Sequence, residues 1–218
     1  MQNSSITTII DQAADVHTPL DQLEELSKNS YFAVREAVAN NPNFGKLSEE
    51  TQKRLLTEDL EGAKSRFVNC AAAKNPGLSS SLFETAFRRK EVRVRAAFAE
   101  NTTESSLYLE FLSMLLVDQA EEVRISASKN KSVGRLTKDM LEKYGFFVAL
   151  GKEKSRYVLE ALANNKLPVE AYKIIEIKGK EILKERNDSG ILTFLIANKY
   201  VPDSIKESCK VKKHRITI

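Results

Sequence analysis

Three arginines, Arg35, Arg95 and Arg124, each stand six residues before an asparagine in a segment that the chain repeats, and Asn69 holds the same place in another copy. A column of planar guanidinium groups suits two kinds of partner. It can bond carbonyls and carboxylates of neighbouring segments and so tie the fold together, or it can line a groove for a carboxylate or phosphate. Leu159 and Leu192 take the place in the last two copies, so such a groove ends before residue 159. A denser basic group, Arg88, Arg89, Lys90, Arg93 and Arg95, has Glu84, Glu91 and Glu100 interleaved. It reads either as a solvated, partly paired surface or as a phosphate track. The candidate partner-binding residues are therefore Arg35, Asn69, Arg88, Arg89, Arg93, Arg95 and Arg124.

Other chemistry finds little material. The two histidines, His17 and His214, stand near opposite ends of the chain with no metal-ligand spacing around either, and no phosphate-binding or nucleophile-elbow motif occurs. Glu24-Glu25, Glu49-Glu50 and Glu121-Glu122 are adjacent pairs, which point in different directions on a helix and make poor acid–base partners. Cys70 and Cys209 are too few for a disulfide framework or a four-thiolate metal site. No catalytic residue, metal or cofactor is expected. The last stretch, with Lys210, Lys212, Lys213, His214 and Arg215, is read as a frayed terminus or a contact for an acidic partner.

The elements that must position these residues come from the repeat itself. Val34-Arg35-Glu36-Ala37-Val38-Ala39-Asn40-Asn41-Pro42 returns as Val68 to Pro76 and, less closely, four more times. The anchor asparagines are 41, 75, 101, 130, 165 and 198, giving periods of 34, 26, 29, 35 and 33 residues. Such spacing marks stacked supersecondary units. All five prolines fall at the junctions, where proline stops one helix and suits the start of the next. The anchor asparagine is expected to end the helix in left-handed geometry. Capping signatures follow at Thr18-Pro19, Leu47-Ser48, Leu78-Ser79, Leu136-Thr137, Leu167-Pro168 and Val201-Pro202. They open a first helix, A, with apolar spacing such as Leu23 with Leu26 or Ala171 with Ile174 and Ile175. The echo is a second helix, B, whose positions seven, four and three before the anchor form the expected core stripe. The position two before is Ala39, Ala73, Ala99, Ser128, Ala163 and Ile196, small enough in the first five to let neighbouring backbones approach.

The pattern Val-Arg-x-x-Val-Ala-x-Asn-Pro, followed by Leu-Ser or Thr-Pro and a leucine-bearing helix, resembles the leucine-rich repeat variant family, whose architecture is similar to that of HEAT-type α-solenoids. Residues 18–43 and 68–101 carry it best, and a degraded form covers 18–203. The resemblance implies an all-α, right-handed superhelix of about six helix pairs, with some 3₁₀ turns. Several units are longer than the family's, which points to a full second helix in each. The family's founding member carries an iron–sulfur cluster on an N-terminal cysteine group, and residues 1–19 contain no cysteine, so the cluster is not carried over.

One domain, 1–218, is expected, with repeats at 18–43, 44–77, 78–103, 104–133, 134–168 and 169–203 and a basic tail at 204–218. Hydrophobic residues at 42% and charged residues at 29% argue for a folded chain. The formal charge of +4 is a mild excess, whereas a nucleic-acid binder usually clusters its positive charge more heavily on one face. Residues 1–15 lack the basic start of a secretory signal, and no apolar run nears the ~20 residues of a membrane span. The expectation is a cytoplasmic, noncatalytic scaffold that binds a protein or peptide along the concave surface of its B helices, with no membrane and no small-molecule substrate. The alternative is a solenoid that binds nucleic acid through the arginine column and the 88–95 cluster.

Overall fold

The computed structural model describes residues 2–59 and 64–210, and these are helical, with no strand among them. The helices pack as two compact units. In the first, Met1–Leu115, helices α1 (Gln2–Ala14), α3 (Phe32–Asn40), α5 (Ser65–Lys74) and α7 (Val92–Ala99) lie side by side in that order. Helices α2 (Leu20–Leu26), α4 (Glu49–Thr57), α6 (Phe83–Phe87) and α8 (Ser106–Leu115) pack against them. In the second, Leu116–Ile218, α9 (Glu121–Lys129), α12 (Arg156–Ala163) and α14 (Gly190–Ala197) lie side by side. Beside them run α10 (Lys138–Lys143), α11 (Phe146–Lys152), α13 (Val169–Arg186) and α15 (Asp203–Cys209), with α13 touching α11, α12, α14 and α15. The expected tail is thus helical as far as Cys209, with Ile205 and Cys209 buried, while Lys212, Lys213, His214 and Arg215 lie outside the described residues.

The echo forms α3, α5, α7, α9, α12 and α14, and its buried face is rotated from the expected one. Positions seven and three before the anchor are buried in every copy, from Val34 and Val38 to Ile191 and Leu195. Position four before is half-exposed at Ala37, Ala97, Ser126, Ala161 and Phe194. In its stead position two is fully covered, at Ala39, Ala73, Ala99, Ser128 and Ala163, and Ile196 is the exception at 38% exposed. The reason is the neighbouring echo helix. At 100° per residue, positions seven, three, six and two cover an arc of about 140°, and the next echo helix presses on its six-and-two side. Positions eight, five, four and one fall on the opposite arc. There lie Phe67, Arg93, Tyr157, Lys74, Glu100 and Lys129, all exposed.

The junctions are closed by the anchor asparagines, by means the sequence did not suggest. Four of them cap their helices in extended conformation, not left-handed: Asn41 has φ −64° and ψ 137°, Asn75 φ −64° and ψ 125°, and Asn130 and Asn198 are alike, while α7 and α12 are capped one residue earlier by Glu100 and Asn164 in right-handed geometry. The amide side chain reaches back to the preceding junction. Asn75 Nδ2 donates to the carbonyls of Ala39 (2.9 Å) and Asn41 (3.1 Å), Asn101 Nδ2 to Ala73 (3.1 Å) and Asn75 (2.7 Å), and Asn198 Nδ2 to Ala163 (2.7 Å) and Asn165 (2.9 Å). Asn41 does the same to Ala13 and Asp15. Each Oδ1 meanwhile accepts from the amide two residues on, as from Gly77 at 2.8 Å. The carbonyls that a helix end leaves without partners are thereby satisfied by the next unit. Two of these turns run close enough that a Cβ on Gly45 would sit 2.6 Å from the Gly77 oxygen, so both positions require glycine.

Hydroxyl caps form at two of the six predicted sites: Ser48 accepts from Thr51 N and Thr137 from Met140 N, each at 3.2 Å. At α2, α13 and α15 the N-cap is proline itself, which fixes the entry angle and leaves the first amides without a side-chain acceptor. Glu24 adds a cap that spacing did not reveal, its carboxylate accepting from Ser48 N and Thr51 Oγ1. Burial alone would raise its pKa, but those bonds and the nearby Arg54 outweigh it and hold the group below its ordinary value.

Replacing Asn101 with alanine should cost about 1–3 kcal/mol, because it strands two carbonyl partners at a fully buried site. Asn164→Ala, at the exposed neighbour of an anchor, should be nearly neutral. Urea unfolding of the two variants measures the contrast, and equal losses would mean that the back-bonding is not what stabilises the junction. Ala73→Leu should also cost about 1–3 kcal/mol by overpacking the contact between adjacent echo helices. Lys74→Leu, one residue on and exposed, should lose only its ion pair with Glu100, a difference readable in the melting temperature.

Candidate interaction surface

The arginine column lies on the buried side of the arc, at position six. Arg35 is 1% exposed, with Nε 2.8 Å from Glu58 Oε1 and Nη1 donating to the carbonyls of Asn29 (2.7 Å) and Ser30 (3.0 Å). Arg95 Nη1 donates to Arg89 (2.8 Å) and Lys90 (3.1 Å), and Arg124 Nη1 to Asp118 (2.9 Å) and Gln119 (3.0 Å). In all three copies the guanidinium straddles the carbonyls six and five residues before it and so closes the turn that leads into its own helix. Asn69 donates to the Leu55 carbonyl at 2.9 Å and is 3% exposed. Where the column holds leucine, Leu159 and Leu192 are buried by apolar packing instead.

Two of the arginines also reach forward to a carboxylate more than twenty residues on. Arg35 meets Glu58; Arg124 grips Glu153 with Nε (2.7 Å) and Nη2 (3.2 Å). Glu153 is 8% exposed, and its Oε1 also accepts from the amides of Lys154 and Ser155. Burial would push this carboxyl up; the hydrogen bond from Arg124, the two amides and the Arg124 charge more than reverse that and hold its pKa below the ordinary glutamate value. Arg124 is held above its own, first by the bond to Glu153.

The 88–95 cluster divides differently. Arg88 is exposed but paired with Glu84 at 2.7 Å, and Arg89 pairs with Glu91 at 3.1 Å while reaching Asn69 Oδ1 at 3.5 Å. Lys90 and Arg93 are exposed and make no side-chain ion pair among the described residues. The seven candidate residues therefore do not share one open face: Arg35 and Asn69 are interior, Arg89, Arg95 and Arg124 are engaged at the junctions, and Arg88 and Arg93 are outside.

What lies open on the echo helices is a mixture of charged, small and aromatic side chains. At position eight stand Phe67 (46% exposed), in a copy whose position-four Ala71 is buried, and Tyr157 (63% exposed), beside the half-exposed Ala161. Phe67 stacks against Phe32 with centroids 6.2 Å apart, and Arg66 lies over its ring. Phe194, placed in the core stripe by spacing, is half-exposed on this face. The signal was present: Phe67 and Tyr157 interrupt no apolar stripe, and Phe194 is the one aromatic at a position that elsewhere holds alanine or serine. In the second unit Tyr157 and Phe194 border a shallow groove of about 490 Å³ with Ala161 among its lining residues.

Among the described residues no three of His, Cys, Asp and Glu gather as a metal site, and no helix is long and apolar enough to cross a membrane.

The linkage through Glu153 has a definite sign. A depressed folded pKa contributes stability that is present above the unfolded value, about 4.3, and lost as pH falls through the lower folded value. Glu153→Gln should therefore be about 1–3 kcal/mol less stable than wild type at pH 7, with the gap closing below about pH 4 as the native carboxylate protonates. Chemical denaturation across pH 3–7 checks both the gap and its closure.

No protein-family model, curated protein or solved structure matches the chain.

Proposed function

We propose that the chain is a noncatalytic, right-handed α-solenoid of about six helix-pair repeats that binds protein through the open face of its echo helices. The observation that carries this reading is that each unit exposes an aromatic at the same register of an echo helix, Phe67 in the first and Tyr157 in the second, on an arc it shares with charged side chains such as Lys74, Arg93 and Lys129. Aromatic anchors beside shallow apolar hollows supply most of the energy in protein recognition. The arginines that would have served an anion groove are meanwhile turned into the junctions. A cytoplasmic setting suits Cys70 and Cys209, neither of which is in a disulfide among the described residues. The second reading, a nucleic-acid binder, is favoured by Lys90 and Arg93, the two exposed cations of the cluster without an ion pair among the described residues.

A photoreactive phenylalanine analogue at position 67 or 157, with controls at the exposed Lys53 and Lys173 on α4 and α13, separates the readings. The expected adducts form from 67 and 157 only, resist nuclease and disappear with protease. The protein in them, once purified, should bind the wild type and fail to bind a Phe67→Asp, Tyr157→Asp variant. Nuclease-sensitive adducts whose yield falls steeply with salt would move the assignment to nucleic acid, and equal labelling from all four positions would remove the echo face as the site.

A further inference from the structure

Tyr157 is a ridge between two hollows of opposite character in the second unit. On one side is the groove of about 490 Å³ that it shares with Phe194 and Ala161, a volume in the range of ligand pockets, roughly 300–1,000 Å³. On the other is a polar hollow of about 450 Å³. Lys129 lines the first, Lys154 and Arg186 the second, and these three side chains make no ion pair among the described residues. The carboxylates of both hollows are already engaged: Glu153 by Arg124 and two amides, Glu121 by Ser155 Oγ at 2.7 Å, Glu160 by Arg156 at 2.6 Å. The hydroxyl leaves the charge of Glu121 in place, but Lys129, Lys154 and Arg186 outnumber it, so the balance of unpaired charge lining the two hollows is positive.

The anchor asparagine of this groove also departs from the others. At 41, 75, 101, 130 and 198 the Oδ1 accepts from the amide two residues on, at 2.8–2.9 Å. At 165 that amide, Leu167 N, donates instead to Tyr172 Oη at 2.9 Å. Asn165 turns, giving its Nδ2 to the carbonyls of Ser128 (2.8 Å) and Ala161 (3.0 Å), and its Oδ1 accepts nothing among the described residues while the side chain lines the groove.

We infer that this surface takes an extended acidic peptide that lays an aromatic or large aliphatic side chain beside Tyr157 and Phe194, donates a main-chain N–H to Asn165 Oδ1, and sets carboxylates against Lys129, Lys154 and Arg186. The inference rests on the protein-binding reading and gives the partner its chemistry. An extended chain fits where a helix does not, because its N–H groups are free to reach a lone acceptor. A phosphate would satisfy the cations and leave the apolar groove and the acceptor unused.

Random heptapeptides displayed on phage, panned on the full-length chain and counter-selected on its Tyr157→Ala variant, test this. Enriched sequences should place aspartate or glutamate on either side of an aromatic or leucine residue. The leading sequence, made as a labelled peptide, should bind roughly thirtyfold more weakly to Tyr157→Ala, the loss expected for a truncated aromatic hot spot. It should weaken about tenfold on Lys154→Glu, Arg186→Glu double reversal, with binding that falls as salt rises. All three residues are exposed, and unchanged melting temperatures certify that the variants are folded. No enrichment over the variant, enrichment of neutral or basic sequences, or displacement of the peptide by single-stranded oligonucleotide overturns the inference. If that happens while cross-linking from positions 67 and 157 still captures a protein, the broader reading stands without this partner; if peptide binds and cross-linking fails at both positions, the loss falls on the broader reading.

Discussion

A carboxamide holds a two-hydrogen donor and an acceptor on one rigid plane, and this fold depends on that plane being placed once per repeat. The echo helices run only 8–10 residues, too short to persist on their own. Each ends in carbonyls that packing removes from water. At Asn75, Asn101 and Asn198 the next anchor asparagine donates to two of those carbonyls while its own oxygen holds its own turn. Termination of one helix and docking of the following one are thus a single event. Position two must be small because the backbones have to come this close, and Gly45 and Gly77 meet the same demand one turn later.

The arginines are the second tie, and they work at the other end of the same helices. An asparagine closes the C-terminal end, and an arginine six residues earlier closes the turn at the N-terminal end. Both side chains satisfy backbone carbonyls, the group that helices and tight turns leave over in excess. Glu58 and Glu153 keep the enclosed guanidinium groups from being uncompensated charges. Leu159 and Leu192 show the other solution, in which the same position is filled by a buried apolar side chain.

How much of this was legible in the sequence depended on the range of the interaction. Helix identity, the buried valines at position seven and the small column at position two follow from local periodicity and were readable. The error at position four had a tertiary cause: a stripe centred on one helix ignores the neighbour that presses along its flank, and that flank decides whether Ala39 or Ala37 is covered. The asparagine's role was misassigned for a related reason. Its left-handed propensity is a local property, whereas the carbonyls of Ala39 and Asn41 that Asn75 meets lie 36 and 34 residues back. Of the proposed surface, the basic residues stood out by charge although several are spent inside, Tyr157 passed unremarked, and Phe194 was assigned to the core stripe because an aromatic on a helix reads as core until its exposure is known.

The identity of the residue after each anchor bears on how the protein ages. Hydrolysis of an asparagine amide leaves a carboxylate, which at these sites would turn a donor shared by two carbonyls into a charge repelled by both. The usual route starts when the backbone nitrogen of the following residue attacks the side chain to close a five-membered imide, and it needs an N–H at that nitrogen. Asn41 and Asn75 precede Pro42 and Pro76, which have none. The prolines that end these helices therefore also shield the two junctions from the reaction that would undo them, whereas Asn101, followed by Thr102, relies on complete burial and a rigid turn for the same protection.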